Sequence, residues 1–84
     1  MTNWNIDSAR AMKKVIYSTE HKSLVARLKK ARLDAELDQT AVARLLGASQ
    51  SYISKIESGQ RRVDIVLLKQ FAKIYKKDLE FFLK

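Results

Sequence analysis

The stretch from Gln39 to Glu57, QTAVARLLGASQSYISKIE, constrains the fold more than any other part of the chain. Val42, Ala43, Leu46, Ile53 and Ile56 place apolar or small side chains at helical spacing on either side of a lone Gly47. That spacing predicts two short helices joined by a tight turn, with their apolar stripes facing each other. Each requirement of such a unit is physical. Counted from Gln39, the fifth position must be small because the helices cross there, and it is Ala43. The ninth must tolerate a positive φ, and it is Gly47. The fourth, eighth, fifteenth and eighteenth must be apolar to build a shared core, and they are Val42, Leu46, Ile53 and Ile56.

The flanking sequence supplies further helices. Ser18 or Thr19 is placed to cap a helix, with Glu20 favourable in its first turn. Leu24, Leu28, Ala31 and Ala35 then recur every three or four residues, which predicts a helix running to about Glu36. The paired helices run from Gln39 to Leu46 and, capped by Ser49, from Gln50 to Ser58, with Gly47 and Gly59 as stops. Gln60-Arg61-Arg62-Val63 reads as a basic loop. Asp64 caps a helix from Ile65 to Tyr75 that turns Leu67, Leu68, Phe71, Ala72 and Tyr75 inward and Lys69, Lys73 and Lys76 outward. Asp78 caps a last short helix bearing Leu79, Phe82 and Leu83. Residues 1–17 are a separate N-terminal extension in which Asp7 is placed to cap a short helix through Ala9, Met12, Val15 and Ile16. Trp4, the only Trp, is expected to pack on the domain or on a second copy.

The whole chain therefore reads as all-α. It has no Pro, only two Gly and almost no strand-like alternation. Its 84 residues suffice for one small domain. The absence of Cys excludes a disulfide scaffold and a thiolate metal site. His21, the lone His, lacks the companions of a metal centre, so no cofactor is expected. No stretch approaches the roughly 20 apolar residues of a membrane span, which makes a cytoplasmic location the expectation. Seventeen Lys and Arg against nine Asp and Glu leave a net charge of +8, a field that favours a polyanionic partner.

The paired helices and their surroundings resemble the lambda-repressor/Cro-like (XRE-type) helix-turn-helix domain over residues 18–83. The resemblance rests on Gln39-Thr40 opening one helix, on Ser49-Gln50-Ser51-Tyr52-Ile53-Ser54-Lys55-Ile56-Glu57-Ser58-Gly59, and on Arg61-Arg62-Val63-Asp64 after it. It implies a five-helix bundle that binds DNA as a dimer, with the second paired helix as the recognition helix. It also implies that Gln39 contacts phosphate and braces that helix, that Gln50, Ser51 and Lys55 face bases, and that Arg32 pairs with Glu57.

The side-chain chemistry agrees. Gln50 suits adenine N6 and N7, and Lys55 suits guanine O6 and N7. Ser51 and Ser54 are small enough for close approach and share a face with Lys55 and Ser58, opposite Ile53 and Ile56. Gln39, Ser49, Tyr52, Arg61 and Arg62 suit phosphate, fixing register without reading sequence. Plainer roles stand beside these. Lys55 as a solvated lysine, Gln50 and Ser51 as helix-start residues, and Tyr52 packed across the helix pair are each open. One of Arg61 and Arg62 has Asp64 as an alternative partner. Phe81 and Phe82 are adjacent and cannot both face inward, so one is a candidate dimer contact.

The leading function is a homodimeric, sequence-specific DNA-binding regulator, repressor-like, acting on a palindromic double-stranded operator. The alternative is a protein-interaction module such as an antitoxin, with residues 1–17 as the partner segment. An enzyme is not expected: there are no paired catalytic carboxylates, no Cys and no phosphate-cradling glycine loop.

Overall fold

Among the described residues of the computed structural model, four of the five helices end in the same way, and those ends set the architecture. The structure describes residues 18–84. The expected short helix near Asp7 and the packing of Trp4 therefore lie outside the described residues. The helices are α1 (Thr19–Asp34), α2 (Gln39–Leu46), α3 (Gln50–Glu57), α4 (Ile65–Tyr75) and α5 (Leu79–Leu83), and no strand occurs among the described residues.

Each start has a local cause. The side chains of Ser18, Asp38, Ser49 and Asp64 accept the backbone N–H three residues on, from His21, Ala41, Tyr52 and Leu67. Each such bond satisfies one of the donors that a helix start leaves without an intrahelical partner. Asp78 holds the cap position of α5 but makes no side-chain bond, which corrects the expectation that it caps in this manner. Its backbone carbonyl accepts from Phe81 N–H instead, at 3.0 Å.

The ends share one hydrogen-bond pattern. Leu37 N–H reaches Arg32 C=O after α1, and Ala48 N–H reaches Ala43 C=O after α2. Gln60 N–H reaches Lys55 C=O after α3, and Lys77 N–H reaches Ala72 C=O after α4. Each bond needs one left-handed residue before it. Gly47 and Gly59 supply it at φ +71 and +82, whereas Glu36 and Lys76 do so at φ 58 and 56 despite their side chains. Here α1 departs from expectation: it stops at Asp34, because Glu36 turns left-handed and Leu37 packs back on the core. Likewise α3 stops at Glu57, with Ser58 as its C-cap.

One core joins the five helices. It contains Leu28 and Ala31 of α1, Val42 and Ala43 of α2, Ile53 and Ile56 of α3, Leu68, Phe71, Ala72 and Tyr75 of α4, and Phe82 of α5. Ala43 is buried, as the tight α2–α3 crossing requires, while Leu46 and Leu67 lie half-buried at the margin. Val25 and His21 are buried as well, though no periodic pattern had marked them. Of the aromatic pair, Phe82 enters the core and Phe81 lies edge-on to it, half-buried, with Lys77 Nζ 4.6 Å from its ring centroid. Lys77 also reaches Asp34 at 3.4 Å, tying the turn between α4 and α5 to the end of α1.

Candidate nucleic-acid interface

Helix α3 is held by its inner face and open on its outer one. Ile53 and Ile56 have no solvent exposure, so the helix cannot rotate about its axis without exposing core. Gln50, Ser51 and Lys55 are exposed and Ser54 is half-buried, which brings the four expected base-facing residues to the accessible side of α3. Ser58, on the same side, donates to Lys55 C=O and accepts from Gln60 Nε2.

A chain of polar contacts fixes the helix at both ends. Arg32 of α1 donates to Glu57 through Nε at 2.7 Å and through Nη2 at 3.1 Å. Its Nη1 donates to Leu37 C=O at 2.9 Å. The Glu57 hydrogen bond raises the Arg32 pKa above its ordinary value against the opposing effect of burial. Glu57 also accepts from Gln39 Nε2 at 3.1 Å, and Gln39 Oε1 accepts from Gln50 Nε2 at 2.6 Å. The order of donors in this chain is forced. A carboxylate only accepts, so the Gln39 amide must turn its nitrogen to Glu57 and its oxygen to Gln50. Gln50 then commits one N–H to Gln39 and keeps its other N–H and its carbonyl oxygen for an external partner. Adenine N7 and N6 present the matching acceptor and donor in the major groove.

The surrounding charge is one-sided. From Gln39 to Arg62 the only acidic residue is Glu57, against Arg44, Lys55, Arg61 and Arg62. Glu57 is turned inward onto Arg32 with 5% of its side chain exposed, so its negative charge is neutralised away from the open face. The Arg61 guanidinium carbon lies 5.1 Å from the Tyr52 ring centroid. The Tyr52 ring packs on the core and also supports a cation above α3. Ser49 uses an oxygen lone pair to cap α3, which leaves its O–H proton available outward.

Comparison with known proteins follows the same geometry. A helix-turn-helix family model matches residues 28–82, which is more than half of the chain. The chain belongs to the lambda-repressor/Cro-like helix-turn-helix family. A search of curated proteins finds no match. The family is one of DNA-binding regulators, and the five-helix, strand-free architecture of the described residues is consistent with it.

Arg32 and Glu57 are paired, and Gln39 is bonded to Gln50 at the start of α3. Arg61 and Arg62 are exposed beyond the end of α3. Among the described residues no cluster of His, Asp and Glu is gathered to hold a metal ion, and no helix is long and apolar enough to cross a membrane. Two contacts at this site had no sequence signal. Leu37 contributes only a backbone carbonyl, and His21 reaches Gly59 across 38 positions of sequence.

Proposed function

We propose that this protein binds double-stranded DNA sequence-specifically as a homodimer and acts as a repressor-like transcriptional regulator. The observation that carries this reading is Gln50, which stands exposed at the start of α3 and is oriented by Gln39 at 2.6 Å. A side chain fixed in this way reaches a base edge without first losing rotamer freedom. In this reading α3 lies in the major groove, with Gln50, Ser51, Ser54 and Lys55 at base edges. Gln39, Ser49, Tyr52, Arg61 and Arg62 lie along the phosphates on either side, a contact type that sets register and not sequence. Two copies on a two-fold operator would place their recognition helices about one helical turn of DNA apart. Exposed Leu83 and half-buried Phe81 on α5 supply apolar surface for such a pairing.

Selection of bound duplexes from a random DNA library tests the proposal. The expected result is a palindromic consensus containing adenine in each half-site. Absence of any enriched sequence would overturn it.

A further inference from the structure

His21 is a buried polar side chain that neither the core nor the recognition face explains. It lies at the start of α1 with 6% of its surface exposed, and its Nε2 is 3.3 Å from the carbonyl oxygen of Gly59. Gly59 is the left-handed residue that ends α3, and its N–H is already engaged with Ile56 C=O. Its carbonyl belongs to no helix, and Gly59 is half-buried, so the imidazole offers a partner to a carbonyl partly withdrawn from water. A carbonyl only accepts, so the contact requires a hydrogen on Nε2.

The position of that carbonyl matters because the basic loop begins there. Gln60, Arg61 and Arg62 follow directly, and Arg62 and Val63 line the same groove as His21, together with Leu24 and Phe82. The α1 helix thus holds α3 at two points, through Arg32 on Glu57 and through His21 on the residue after the helix. The first contact orients the helix. The second sets the direction in which the chain leaves it.

We propose that His21 is a positioning residue for DNA binding, fixing the course of the Gln60–Val63 loop so that its arginines meet the phosphate backbone. This inference rests on the DNA-binding reading above. Because phosphate contacts carry no base information, loss of the His21 bond weakens binding to every duplex by a similar factor.

The test compares the full chain with His21→Leu, which keeps apolar bulk but has no donor, and His21→Gln, whose amide places a donor near the Nε2 position. Anisotropy titrations with a random-sequence 20-bp duplex and with the selected duplex are run across a salt series. His21→Leu is expected to bind both duplexes about three- to tenfold more weakly, with a salt slope lower by roughly one, and His21→Gln to restore both. Lower stability alone would reduce the active fraction and leave the salt slope unchanged. An unmoved slope in a folded His21→Leu variant overturns the inference, as does loss of base preference with intact binding to the random duplex. Imidazole nitrogen NMR of the unsubstituted protein is a second measurement that needs no variant: hydrogen on Nε2 is expected, and hydrogen on Nδ1 alone overturns the contact. Failure of the unsubstituted chain to bind either duplex overturns the DNA reading and this inference together. Normal binding by it beside an unchanged His21→Leu overturns this inference alone.

Discussion

Gln39 and Gln50 open successive helices and are joined by a 2.6 Å hydrogen bond, with Gln50 donating and Gln39 accepting. The bond links the first residue of α2 to the first residue of α3, while the other end of the Gln39 amide is fixed on Glu57. Gln50 is expected to read DNA from this anchored position, so the two glutamines should act as a unit. Gln39→Ala and Gln50→Ala are each expected to weaken binding to the selected duplex. Their combination should be less than additive, with a coupling of about 0.5–1.5 kcal/mol in a double-mutant cycle. Strictly additive losses would mean that the bond does not orient Gln50 in the complex.

Lys55 and Arg61 should fail differently. Lys55→Ala is expected to relax base preference at one position of each half-site, at a cost of about 1–3 kcal/mol. Arg61→Ala is expected to weaken all sequences alike and to lower the salt slope by roughly one. Repeating the selection with each variant, alongside a salt titration, separates the two. An unchanged consensus for Lys55→Ala removes it from the base-reading residues, and an unchanged slope for Arg61→Ala removes it from the phosphate contacts.

The Arg32–Glu57 pair is buried, with side-chain exposures of 10% and 5%. Removing one partner leaves a buried charge uncompensated, so Arg32→Met should cost about 3–5 kcal/mol of stability. Arg32→Met with Glu57→Gln removes both charges and should recover more than about 1 kcal/mol of that loss. Urea denaturation of the three proteins gives the comparison. A double variant as unstable as the single one would show that the pair acts through packing of the arginine stem alone.

The Tyr75 hydroxyl is buried and has no hydrogen-bond partner among the described residues. Tyr75→Phe should therefore stabilise the protein at neutral pH by about 1 kcal/mol, since it removes a desolvated polar group at little change in shape. Burial also raises the Tyr75 pKa well above its ordinary 10.0. The folded state then holds the proton more tightly than the unfolded chain. The associated stability is complete below pH 10 and falls as pH rises from there toward the folded value. Arg32, also raised, is charged throughout this range and adds no slope there. Denaturation at pH 7 and pH 11 should thus show a steeper alkaline loss for the parent than for Tyr75→Phe. Equal losses would remove Tyr75 as the cause.

Glu36 holds φ 58 to close α1, a conformation that costs a residue with a Cβ about 1–2 kcal/mol. Glu36→Gly relieves that strain but gives the unfolded chain more freedom. The net expectation is a gain of about 0.5–1 kcal/mol, read as a rise in Tm. A fall in Tm would show that the carboxylate makes a compensating interaction.

The parts legible in the sequence are those whose cause is local. Ser49 and Asp64 cap with their own side chains, and Gly47 and Gly59 stop helices because they lack a Cβ. Ile53 and Ile56 lie one turn apart and so face one way, which leaves Gln50, Ser51 and Lys55 outward. The end of α1 is not legible for the same reason in reverse: Glu36 looks like a helix residue, and its left-handed turn accompanies the packing of Leu37 on the core.

Sequence by itself therefore determined the helices, their inward faces, the positive charge and, through family resemblance, the pairing of Arg32 with Glu57. Tertiary structure alone decided that Gln39 bridges Glu57 and Gln50, that His21 meets Gly59, and that the Tyr75 hydroxyl is buried without a partner. Helix formation follows from neighbours a few residues apart, which a sequence displays directly. A hydrogen bond between distant segments depends on how whole helices cross, and that crossing is set by the summed packing of the core.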